Sequence, residues 1–159
     1  LNAGDNFGNA GDGTDDVIVY LHIGLPPETG GPAEFGEAAD SYLGGITVDA
    51  SIAGNLQSML EAAVGDGLTL TGSGWRSNAR QIQLRTINGC PDVWTSSPSS
   101  CRVPTAIPGT SMHEQGLAID FDNCSYRGSA CYIWLSNNAA GYGFYNLPSE
   151  PWHWSVNGR

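Results

Sequence analysis

His113, Asp120 and His153 carry side chains that can together bind a metal ion. The chain has three histidines in all, and two of them sit in short polar stretches. One runs from Ser111 to Asp120 and reads S-M-H-E-Q-G-L-A-I-D; the other, Glu150 to His153, reads E-P-W-H. Two neutral imidazoles and one carboxylate form the donor set of a catalytic zinc, which takes three protein ligands and keeps a fourth position for water or substrate. Glu150 is a carboxylate left over from that set, free to handle a proton. The same donors describe the iron facial triad. There the first histidine and the carboxylate lie close together in sequence, whereas His113 and Asp120 are seven positions apart. Iron would also leave Glu150 without a task, so zinc is the better reading.

These side chains need elements that aim them at one point. Leu117, Ile119 and Phe121 alternate with Ala118, Asp120 and Asp122, a period of two that predicts a half-buried strand with Asp120 facing away from the core. Gly116 lets the chain turn into that strand, and His113 sits on the loop before it. Glu150 and His153 would face opposite sides of a straight strand. Pro151 fixes its own φ and drives Glu150 into an extended conformation. A bend there brings both side chains to one cavity, with Trp152, Trp154 and Val156 alternating into the core.

The pattern S-x-H-x-x-G-x-A-x-D followed by E-P-W-H-W resembles the signature of the zinc D-alanyl-D-alanine carboxypeptidases of the VanY type. Their wider group (the LAS metallopeptidases) includes D,D-dipeptidases and peptidoglycan endopeptidases, and shares a small α+β fold with the hedgehog signalling domain. The resemblance implies that His113, Asp120 and His153 bind zinc and that Glu150 is the catalytic base. It extends to Gly74-Trp75-Arg76-Ser77, which is similar to the family's G-[YW]-R-S turn and makes Arg76 a candidate catalytic and substrate-binding residue. Arg76 could stabilise the oxyanion or clamp a terminal carboxylate in a bidentate pair; the sequence leaves both roles open. Ser111 could contact substrate or cap its own turn. The resemblance covers roughly residues 68–156. It implies removal of a terminal D-Ala from peptidoglycan stem peptides. The alternatives are an endopeptidase that cuts within the stem or crossbridge and a zinc-bound binding module without turnover.

Composition narrows the class further. A chain of 159 residues fits one domain with a sizeable core. Its formal net charge of −10 argues against nucleic acid as a partner. There is no apolar run long enough to span a membrane and no secretory signal pattern. A start at Leu1 rather than Met leads us to expect a processed piece of a longer precursor. Four cysteines point to an oxidising compartment; the resemblance implies a secreted, cell-wall-associated protein, and a monomer is expected. Cys90–Cys101 and Cys124–Cys131 give the shortest loops of the possible pairings and are expected as disulfides. A cysteine-based structural zinc is disfavoured because no C-x-x-C spacing occurs.

The expected fold is α+β: a small mixed or antiparallel sheet with helices packed mainly on one side. Residues 1–16, rich in Gly, Asn and Asp, read as a linker or irregular arm, and 17–159 as a single zinc peptidase domain. Asp5, Asp12, Asp15 and Asp16 lack the spacing of a calcium loop. Val17 to Ile23 predicts a strand, with His22 as a structural histidine. Residues 24–45 predict a long loop with a helical turn near Glu34 to Tyr42. Ser51 to Val64 predicts a helix capped by Ser51, with Ile52, Leu56, Met59, Leu60 and Ala63 inward. Leu68 to Thr71 predicts a strand. Asn78 to Ile87 predicts a helix capped by Asn78, with Arg80 and Arg85 on its solvated side. Residues 89–110 read as a disulfide-closed loop. Ser129 to Ala139 predicts a helix with Tyr132 and Leu135 inward and Gly141 as its stop. Tyr142 to Tyr145 reads as a short aromatic strand.

Overall fold

The structure, a computed structural model, describes residues 16–19 and 45–159, with side chains from position 45 onward. Two antiparallel sheets and three helices make up the described part. Strand β1 (Asp16–Val19) pairs with β2 (Ile46–Asp49). A four-stranded sheet follows the order β3 (Gly72–Ser73), β4 (Ala118–Phe121), β6 (His153–Ser155), β5 (Tyr145–Asn146). The helices are α1 (Ala50–Gly65), α2 (Asn78–Ile87) and α3 (Ala130–Asn138). The α+β class expected from the sequence is what the chain forms. β1 begins at Asp16, and Val17 to Val19 fall on the expected strand, whose remainder lies outside the described residues. The acidic arm, His22 and the expected loop and turn between 24 and 44 lie outside the described residues.

Helix α1 is placed by its apolar stripe. Ile52, Leu56, Met59, Leu60 and Ala63 are all buried, as their spacing predicts. They pack with Ile46 and Val48 of β2, Ile119 and Phe121 of β4, Leu135 of α3, Phe144 and Trp154 in one core. Each large aliphatic side chain so buried contributes roughly 1.5–3 kcal/mol. The cap differs from the expectation: Asp49, not Ser51, is the N-cap, and its carboxylate accepts the Ser51 N–H at 2.9 Å. An ionised oxygen at the positive end of the helix outcompetes a hydroxyl two residues later.

The strand expected at Leu68–Thr71 forms instead at Gly72–Ser73. The reason is steric. A Cβ on Gly72 would lie 2.3 Å from the carbonyl oxygen of Asp120, so only a residue without a side chain lets β3 approach β4. Gly74 is similar, since a Cβ there would meet the Thr47 oxygen at 2.1 Å. These glycines let the backbone press closely against its neighbours.

Helix α2 has the expected bounds, but Ser77 caps it by accepting the Arg80 N–H at 3.2 Å. Arg85 corrects the expectation of a solvated side chain. It is fully buried, and its guanidinium donates to the carbonyls of Thr105, Asp92 and Ser96 and to Ser96 Oγ. It thereby fills the loop that the Cys90–Cys101 disulfide closes. The second bridge, Cys124–Cys131, is also formed as expected and ties the turn after β4 to α3. Helix α3 begins after Ser129, which caps Tyr132 N–H, and buries Leu135 with Tyr132 packed at the edge of the core. It runs into a 3-10 turn, Ala139–Tyr142, which ends at Gly143 with φ +83° rather than at Gly141. Tyr142 therefore belongs to that turn, and β5 is only Tyr145–Asn146.

Candidate metal centre

The site forms where β4 and β6 pair, since Asp120 and His153 are register partners across the two strands. Both therefore project on one face of the sheet at adjacent positions. His113 arrives from the turn before β4. Gly116, at φ +68°, makes that turn possible, and it closes with Gly116 N–H on the His113 carbonyl at 3.1 Å. Ser111 Oγ accepts the His113 N–H at 3.3 Å and is itself buried. The same turn is held by Glu114, whose carboxylate accepts the Gly109 and Ser111 N–H groups and the Asn78 amide.

The three donors converge closely. His113 Nε2 lies 3.1 Å and His153 Nδ1 2.9 Å from Asp120 Oδ1, and the two ring nitrogens are 3.2 Å apart. Donors on a zinc tetrahedron with bonds of about 2.0–2.1 Å stand roughly 3.3 Å from one another. The cluster is within a few tenths of an ångström of that spacing. The opposite nitrogen of each ring is already engaged: His113 Nδ1 on the Gly74 carbonyl at 2.6 Å, and His153 Nε2 on the Arg159 carbonyl at 2.8 Å. A carbonyl only accepts, so those nitrogens carry the protons and the inward ones present lone pairs. Two lone pairs and a carboxylate oxygen facing one point repel unless a cation sits among them. Backbone carbonyls that fix the tautomer in this way are the usual support of metal-bound histidine. The donor set thus fits zinc.

When protons rather than a metal bridge the donors, burial still pushes the Asp120 carboxyl up, but hydrogen bonds and charge from His113 and His153 outweigh it and hold the group far below the usual carboxylate range. Burial pushes His153 down, yet the Asp120 carboxylate raises it above its ordinary value. The site attracts positive charge.

Arg76 lies at the rim. Its backbone N–H donates to the His113 carbonyl at 3.1 Å, and the neighbouring Trp75 N–H donates to Thr47 of β2 at 2.6 Å. Its guanidinium gives Nη2 to Asp120 Oδ2 at 3.2 Å and Nη1 to Gln81 Oε1 at 3.1 Å. Glu150 is half-buried in the β5–β6 loop. Burial raises its carboxyl above the ordinary range, and Asp120 adds to that while His153, His113 and the Trp152 indole oppose it. The bend at Pro151 closes with His153 N–H on the Glu150 carbonyl at 3.1 Å.

Sequence reasoning missed Gln81. It is buried, accepts from Arg76, and donates to the Ala106 carbonyl at 2.8 Å. A glutamine in a helix has no pattern that announces such a role; only the tertiary contact reveals it.

The arrangement has counterparts. Residues 45–159 match the VanY family, described as D-alanyl-D-alanine carboxypeptidase. A D-alanyl-D-alanine carboxypeptidase of Enterococcus faecalis is 28% identical over 142 residues, which is 77% of this chain and 53% of that protein. The chain thus spans about half the length of this curated relative. Among solved structures, the vancomycin-resistance D,D-pentapeptidase VanY in complex with Zn(II) is 29% identical, with a TM-score of 0.54 over 72% of this chain and 75% of that one. VanYB in complex with D-alanine-D-alanine is 25% identical, with a TM-score of 0.55 over 89% and 87% of the two chains. The LD-carboxypeptidase LdcB shares the fold, at 23% identity and a TM-score of 0.56 over 89% of this chain and 67% of that one.

Proposed function

The chain belongs to the VanY family of D-alanyl-D-alanine carboxypeptidases, and from that premise we propose that it hydrolyses the terminal D-Ala from peptidoglycan stem peptides. The observation that carries this reading is the convergence of His113, Asp120 and His153 on one point, with Arg76 paired to Asp120 and Glu150 three residues before His153. We assign zinc to His113 Nε2, Asp120 Oδ1 and His153 Nδ1. When bound there, the metal supplies Lewis acidity that activates water and polarises a carbonyl.

The protein's own groups do the rest. The Glu150 carboxylate takes a proton from the attacking water and returns it to the leaving amine, so that one amide and one water become an acid and an amine. Its half-buried setting suits a base of raised affinity for protons. Arg76 places fixed positive charge where charge develops on the substrate, and its second arm on Gln81 keeps the fork oriented. Ser111 serves by holding His113 in place. We further propose that 17–159 act as one domain and as a monomer. Two disulfides support a secreted, wall-facing setting.

The test is hydrolysis of N-acylated L-Lys-D-Ala-D-Ala and of intact muropeptides, with and without chelator, read by mass spectrometry. Chelator-sensitive loss of one terminal Ala is the expected outcome. Cleavage only inside muropeptides would move the chain to the endopeptidases. One bound zinc without turnover of either substrate would make it a binding module.

A further inference from the structure

The loop between β5 and β6 carries both the base and the last metal ligand, and its shape depends on one side chain that neither role explains. Asn146, in β5, pairs through its backbone with Trp154 of β6. Its side-chain Nδ2 donates to the Glu150 carbonyl and to the His153 carbonyl, each at 2.9 Å. The loop closes around the same two residues by backbone bonds. Glu150 N–H donates to the Leu147 carbonyl at 2.9 Å, His153 N–H to the Glu150 carbonyl at 3.1 Å, and Leu147 N–H to the His153 carbonyl at 3.0 Å. On the outside, Arg127 donates to the Pro148 carbonyl. Asn146 is half-buried and occupies the inside of this turn.

We propose that Asn146 is a positioning residue: its amide fixes the distance and orientation between the Glu150 carboxylate and the His153 imidazole across the Pro151 bend. This rests on the reading of Glu150 as base and His153 as zinc ligand. A carboxamide is suited to the task because its two N–H donors can satisfy two carbonyls at once. Backbone carbonyls at a turn diverge, and a bridging donor holds them at a set separation. Without it, Glu150 and His153 would still be present but would sample a wider range of relative positions. Supporting groups of this kind typically cost about 10–100-fold in metal affinity or activity when removed.

Two substitutions test it. Asn146→Asp keeps the shape but replaces the donor with an acceptor facing two carbonyls; Asn146→Ala removes the group. Three readouts are taken on the full chain: thermal midpoint, zinc affinity by competition with a chromophoric chelator, and the split between kcat and KM on the acylated tripeptide. We expect kcat and zinc affinity to fall by about 10–100-fold in both variants, with KM nearly constant and Asn146→Asp the worse of the two. Wild-type kcat and zinc affinity in Asn146→Asp would overturn the proposal, because a packing role alone tolerates an isostere. A lowered thermal midpoint with kcat and zinc affinity intact would also overturn it. If Asn146→Asp does not fold, Asn146→Ala decides on the same readouts. If the wild-type chain cleaves no peptide, the zinc affinities still decide Asn146, while the peptidase reading fails separately.

Discussion

Arg76 Nη2 meets Asp120 Oδ2 at 3.2 Å, while Oδ1 of the same carboxylate faces both histidines. One side chain therefore links the metal cluster to the guanidinium at its rim. The other arm of Arg76 is held by Gln81, which anchors on Ala106. Lysine can supply the charge but not the fork, because an ammonium cannot satisfy Asp120 and Gln81 in one plane. We expect Arg76→Lys to lower kcat/KM by about 10–100-fold with zinc still bound, on the scale of other supporting groups around metal sites. Steady-state kinetics beside metal analysis checks this; unchanged kinetics would remove Arg76 from the site.

Glu150→Gln tests the proposed base. The amide keeps the size and the half-buried position but cannot accept the proton of water. Loss of a positioned general base typically costs about 10²–10⁴-fold. We expect that loss in kcat, with zinc stoichiometry and thermal midpoint retained. Hydrolysis at the wild-type rate would place the base elsewhere.

As the proposed base, Glu150 would also set the pH response, since it works only when ionised. Burial favours its neutral form, so its pKa lies above the ordinary glutamate value. Activity therefore falls as pH drops through that raised value, and the acidic limb of the kcat/KM profile lies at higher pH than for an exposed glutamate. Rate measurements across the acid range locate the limb. A limb at the unperturbed carboxylate position would show that another group controls it.

Arg85 predicts a stability effect without a direct catalytic one. It is buried against the Thr105, Asp92 and Ser96 carbonyls, and its Nε finds no acceptor among the described residues. Arg85→Met would leave those carbonyls facing an apolar chain. Each buried acceptor left unpaired costs about 1–3 kcal/mol, so we expect a loss of several kcal/mol in denaturant unfolding. Water reaching exposed Asp92 and half-buried Ser96 limits it. The surviving folded fraction should keep its zinc.

The parts of the fold that could be read in the sequence were those set by one dominant force. The apolar stripe of α1 and the alternation around β4 report burial, and burial leaves a periodic trace. The two disulfides followed from loop length alone. What could not be read was decided by competition or by distant partners. Asp49 and Ser51 are both good caps, and so are Ser77 and Asn78; a sequence does not say which oxygen reaches the helix first. Arg85 is charged, and its burial became favourable only when three carbonyls of the loop after its helix folded back to receive it. The need for glycine at 72 and 74 was not legible either, because the backbone atoms that crowd these positions come from Asp120 and Thr47. At the site, the histidines, Asp120 and Glu150 were visible as a motif. Gln81 and Asn146 were not, because an amide reveals its role only through the groups it touches.

The pairing of Asp120 with His153 has a thermodynamic meaning as well. β4, β6 and their neighbours are strands of two to four residues, and few ladder bonds hold them in register. Two of the proposed zinc ligands, Asp120 and His153, come from the two central strands. A metal that binds the paired register and not the open chain acts as a concentration-dependent staple, worth about 2.7 kcal/mol when free zinc is a hundredfold above its dissociation constant. The midpoint of thermal unfolding should then rise steadily with free zinc set by a metal buffer. In the Asp120→Asn protein the slope of that rise should shrink. The sheet would thus be a zinc sensor in its own right, with its stability reporting how much metal the surroundings hold.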